Sequence, residues 1–154
     1  MSWYGRITKD LGEIPGFIRY CEKELLEARE DIDTSGNLEK NLAQLPAITE
    51  VRFSQLQEVE AVLNLLNIEM RKIRKGEYIK YERYQKALSS REIEKYVDGE
   101  DDVTEMDMVI NEVALIRNKF LSIMKALESK NFMLGHITRL RSAGMEDVEI
   151  QKTY

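Results

Sequence analysis

Residues 103–144 read VTEMDMVINEVALIRNKFLSIMKALESKNFMLGHITRLRSAG, and the spacing within them decides the fold. Val109, Val113, Ile116, Phe120, Ile123 and Leu127 alternate steps of four and three, which keeps side chains on one helical face. Met106, Ile110 and Met124 widen that stripe, while Asn111, Glu112, Asn118, Lys119 and Lys125 stay off it. No proline interrupts the run, and Gly144 stands where a C-cap glycine belongs. A continuous helix here is about 60 Å long at 1.5 Å per residue. One compact domain of 154 residues does not cover such a rod by itself, so an elongated, self-associating helical protein is expected.

Upstream of the rod, Leu56, Val59, Leu63, Leu66, Met70 and Ile73 repeat the three-four spacing, with Val62 and Leu65 flanking it. A seam sustained over this length marks a coiled coil or bundle. Pro46 is expected to open this helix, with 38–45 as a connector, and Gly76 is its expected weak point. Tyr84 and Ala87 remain in phase with the seam, so the helix is expected to extend or resume as far as Tyr96. Asp98-Gly99-Glu100-Asp101-Asp102 reads as a turn whose acids favour the positive start of the rod. Nearer the N-terminus, Pro15 opens a shorter helix with Phe17, Ile18, Cys21, Leu25 and Ala28 on its apolar face, stopped at Ser35-Gly36-Asn37. In Met1–Gly12 only Trp3, Tyr4 and Ile7 offer anchors. The expected fold is all-α: an elongated hairpin or bundle of two long helices plus a shorter N-terminal helix, forming oligomers. Its segments are an N-terminal part over 1–45, the hairpin over 46–144, and an acidic tail over 145–154.

A charged fraction of 33% with only two prolines agrees with helices. Cys21 is the single cysteine, which leaves no internal disulfide and suits a reducing cytoplasm. No apolar run approaches the ~20 residues of a membrane helix, so no membrane partner is expected. No Gly-rich phosphate loop occurs, and His136, the only histidine, has no metal-ligating neighbours at helical spacing. Glu100, Asp101 and Asp102 lack calcium-loop spacing. Catalysis, a metal and a cofactor are therefore not expected.

Charge is segregated along the chain, whose net charge is −5. Residues 71–91 carry Arg71, Lys72, Arg74, Lys75, Lys80, Arg83, Lys86 and Arg91 against Glu77 and Glu82 alone. Residues 92–110 swing the other way, with Lys95 the only cation among eight acids. On a helix, Arg71, Lys72 and Lys75 point away from the apolar seam and Arg74 lies about a right angle from it. Tyr78, Arg83 and Lys86 join the outward side, and Tyr84 turns inward. A cationic strip with aromatics neutralises phosphates and stacks unpaired bases. The same strip is also accounted for as a solvated face, or as one paired with acids of 92–110 on a neighbouring helix or subunit.

The segment Leu127-Glu128-Ser129-Lys130-Asn131-Phe132-Met133-Leu134-Gly135-His136-Ile137-Thr138-Arg139-Leu140-Arg141 resembles the C-terminal helix of the UvsY-type recombination mediators of tailed bacteriophages. The likeness rests on Leu127, Ser129, Lys130, Phe132, Leu134, His136, Ile137, Leu140 and Arg141, and on the acidic turn before the helix. Gly135 stands where the family usually has a polar residue. Lys72-Ile73-Arg74 followed by Tyr78 is similar to the family's Lys-x-Arg and tyrosine pattern for single-stranded DNA. The resemblance implies a non-enzymatic DNA recombination and repair protein in the cytoplasm of an infected bacterial host. Such a protein forms a ring-like homo-oligomer, binds single-stranded DNA, contacts the single-strand-binding protein and helps load a RecA-like recombinase. On this reading DNA contacts fall to Arg71, Lys72, Arg74, Lys75, Tyr78, Lys80, Tyr81 and Arg83. Oligomerisation falls to Val109, Val113, Ile116, Phe120, Ile123, Leu127, Phe132, Leu134, Ile137 and Leu140. The alternatives are a structural or scaffolding helical oligomer without a DNA role, and an acidic regulator that binds a protein through residues 1–35.

Overall fold

The computed structural model describes residues 1–84 and 87–144, and among them every regular element is a helix. Helix α1 spans Trp3–Lys9, a single 3-10 turn covers Leu11–Glu13, and α2 spans Ile14–Asp31. Helix α3 runs Leu38–Tyr84, α4 Ser90–Asp98 and α5 Asp101–Ser142. Lys86 and the tail 145–154 lie outside the described residues. No helix among the described residues is long and apolar enough to cross a membrane.

The two long helices are antiparallel neighbours. Leu45, Pro46 and Thr49 of α3 share a groove with Leu127, Glu128 and Asn131 of α5, while Met70 packs with Val103 at the opposite end. Helix α2 completes a three-helix bundle and runs parallel to α5. Ile14 and Ile18 face Val109 at one end, and Lys130 Nζ donates to the Asp31 carbonyl at the other, at 2.7 Å. One core joins Ile7 of α1, Phe17, Cys21 and Leu25 of α2, Leu56 to Leu66 of α3, and Val113 to Leu134 of α5. Each large side chain removed from water here contributes about 1.5–3 kcal/mol. Burial of the shared seam thus holds helices of this length together.

Residues 1–45 are built into that core. Ser2 caps α1 by accepting from the Gly5 amide at 3.2 Å, and Trp3 packs 5.8 Å from Phe17 and 5.6 Å from Tyr20. The division expected at 45/46 falls within α3. Its start is set by Asn37, whose Oδ1 accepts from the Lys40 amide at 2.9 Å. Pro46 therefore does not open the helix but sits inside it, where it removes one N–H without ending the run. Helix α3 also passes through Gly76 and is continuous as far as Tyr84, the last described residue before 87. Tyr84 is 84% exposed and Ala87 is exposed, so neither continues the seam inward. A capping box restarts the chain: Glu92 Oε2 accepts from the Ser89 amide at 2.9 Å and Ser89 Oγ accepts from the Glu92 amide. Helix α4 then buries Ile93 and Val97 against Met70 and Val103 in a second, smaller core.

Candidate nucleic-acid interface

The distal half of α3 positions all eight residues expected to touch DNA, and the structure separates them into two sets. Arg71, Lys72, Lys75 and Arg83 are exposed and fall within about a third of the helix circumference at 100° per residue. The side chains of Arg71, Lys75 and Arg83 make no ion pair or hydrogen bond with another described residue. Lys72 Nζ reaches Glu69 on its own helix at 2.7 Å, a surface pair of the kind worth about 0–1 kcal/mol. From Arg71 to Arg83 the strip extends about 18 Å.

Arg74, Lys80 and Tyr81 form the second set, turned toward acids. Arg74 donates to Asp98 at the end of α4 at 2.6 Å. Lys80 donates to Glu77 at 2.9 Å. Glu77 occupies a seam position and is buried, and its bond holds the Lys80 ammonium above the usual lysine range. Tyr81 donates its hydroxyl to Glu100, which pushes the phenol pKa upward, and its ring stacks on Tyr96 at 5.5 Å with planes 19° apart. Tyr78 is half-buried between the sets and packs on the second core. With Arg74, Lys75, Glu94 and Val97 it lines a groove of about 260 Å³ between α3 and α4. The acidic stretch 92–110 thus supplies partners on a neighbouring helix of the same chain.

Glu77, Glu100 and Asp102 bring carboxylate oxygens within 4.8 Å of one another. Lys80 and Tyr81 already donate to two of the three, so Glu77 and Glu100 are hydrogen-bonded by the protein's own side chains. The turn is legible in the sequence as acidic, but the pairing of Glu77 with it is not. The available signal is a carboxylate four residues after Ile73, in phase with the apolar seam.

Most of the residues expected to form the subunit seam are covered within the chain. Val113, Ile116, Phe120, Ile123, Leu127 and Leu134 are buried against α2 and α3 of the same chain, and Val109 and Ile137 are half-buried beside them. Helices of the same chain cover the rod, in the place that its length suggested for a second copy. Only Phe132, 66% exposed, and Leu140, 46% exposed, are open to solvent among the ten. Phe132 meets His136 edge-on at 4.5 Å.

Among known proteins, no protein-family model, curated protein or solved structure matches this chain.

Proposed function

We propose that this protein is a non-catalytic, single-stranded-DNA-binding recombination mediator that helps load a RecA-like recombinase onto strands covered by single-strand-binding protein. The observation that carries the DNA-binding part is the open strip of Arg71, Lys72, Lys75 and Arg83, three of them without an acidic partner among the described residues. Cations on one helical face neutralise successive phosphates, and the half-buried Tyr78 beside them offers the exposed part of its ring to an unpaired base. The resemblance of 127–141 to the UvsY-type mediators supports the recombination context and a ring-like homo-oligomer, which multiplies weak strips through avidity.

A second reading, a structural oligomer with no DNA role, draws on the contacts that already neutralise Lys72, Arg74 and Lys80. Titration of a fluorescent oligo-dT by anisotropy at several salt concentrations separates the two. The DNA reading expects tight, salt-sensitive binding. Arg71→Ala with Lys75→Ala and Arg83→Ala should flatten the log–log salt slope by about 2, at ~0.7 for each phosphate no longer neutralised. Unchanged binding in that triple variant moves the site elsewhere, and no binding at low salt favours the structural reading.

A further inference from the structure

We propose that α4 and the acidic turn after it act as an internal competitor for the polynucleotide, occupying Arg74 and Tyr81 until a phosphate chain displaces them. The inference rests on the DNA-binding reading and names a regulation of that site. Three observations converge on it. Asp98 places a carboxylate on the Arg74 guanidinium at 2.6 Å, in the geometry a phosphate oxygen takes. Glu100 accepts from Tyr81, whereas Lys80 is held by Glu77 of its own helix. Tyr96 stacks on the Tyr81 ring as an unpaired base does. Carboxylates thus stand in for phosphates and a phenol for a base, on the flank of the open strip.

The location of Asp98 supports a role beyond folding. It is the last residue of α4, where the negative end of the helix dipole disfavours an acid, and Gly99 supplies the helix C-cap. The fold of α4 is secured separately by Ile93 and Val97 in the second core. The Arg74 and Asp98 side chains are 40% and 61% exposed, so a ligand reaches the pair by side-chain rotation without unfolding a helix. Glu100 precedes α5 but makes no side-chain cap bond, which leaves its carboxylate available to Tyr81.

The test compares Asp98→Ala/Glu100→Gln with Asp101→Asn/Asp107→Asn in the full chain, using labelled oligo-dT at 0.1 M salt. Both variants remove two charges from the same segment, but the Asp101 and Asp107 side chains make no hydrogen bond or ion pair with a described residue of the basic strip. Freeing Arg74 adds one phosphate contact. The first variant should therefore bind about fivefold tighter, with a salt slope steeper by about 0.7. The control should stay within about twofold, because Asp101 and Asp107 are exposed and hold none of the site's donors, and solvent and salt weaken such charges. Asp98→Ala alone, at an exposed helix end, gives the same readout if the double variant folds poorly. Equal tightening in the control overturns the inference, as does wild-type binding that neither Asp98 variant improves. Failure of wild type and variants alike to bind at low salt removes the DNA reading and the inference with it.

Discussion

Cys21 shows how one buried atom ties stability to pH. Its thiol is buried in the α2 face, and desolvation, followed by the nearby carboxylates of Glu58, Glu24 and Glu22, pushes its pKa from 9.0 to about 12. The folded pKa is raised, so this contribution is fully present below pH 9 and is lost as pH rises toward 12. The unfolded chain releases the proton first, with a maximum slope of about 1.4 kcal/mol per pH unit. Tyr20 shifts upward too, and Lys130, desolvated beside Asp31, shifts downward. The difference between wild-type and Cys21→Ala urea stabilities between pH 8 and 10 isolates the thiol. A difference that does not change over that range contradicts the assignment.

Arg52 is the other decisive residue. It is buried, and donates to Glu24 at 2.8 Å and pairs with Asp31 at 2.6 Å, with Gln55 completing the network. Arg52→Leu leaves two carboxylates facing each other between α2 and α3. Both keep some solvent contact, so a loss of roughly 2–4 kcal/mol is expected by urea unfolding. The sequence holds a signal for these buried charges. Arg52, Glu77 and Lys130 all stand in phase with an apolar seam, where a solvated face has no reason to place a charge.

At the scale of elements, the seams of α2, α3 and α5 are legible because three-four spacing continues for many turns. The ends are less so, because local chemistry sets them. Asn37 opens α3 nine residues before Pro46, since one proline inside 47 residues costs less than ending a helix already packed on both sides. The restart at Ser89 carries a readable Ser-x-x-Glu signature, which the periodicity of Tyr84 and Ala87 obscures. Gly76 lies in the α3 interior, and a Cβ there meets nothing within 4 Å. Gly76→Ala should therefore raise stability by about 0.5–1 kcal/mol through helix propensity and a less disordered unfolded chain. A thermal melt reads this directly, and a lower midpoint would mean that the α3 backbone departs from regular helix at this point.

At the scale of the whole molecule, periodicity shows that a seam is buried but not by which chain. The long rod is covered by α2 and α3, so self-association needs a different surface. On the outer side of α5, Met108, Leu115, Ser122, Ala126, Ser129, Met133 and Leu140 follow one another at steps of seven, four and three. Met108, Leu115, Met133 and Leu140 are exposed, and the small residues between them let a second helix approach closely. This outer stripe is roughly 120° around the helix from the inner seam. If the proposed homo-oligomer uses it, Met133→Glu with Leu140→Glu should reduce the sedimentation mass to that of a single chain while helicity and melting temperature stay unchanged. Phe120→Ala should do the reverse. It opens the inner core at an expected cost of about 3–5 kcal/mol, lowering the melting temperature without acting on the outer stripe. A wild-type protein that sediments as a single chain at micromolar concentration removes the oligomer, and with it the avidity on which the strip of Arg71 to Arg83 relies.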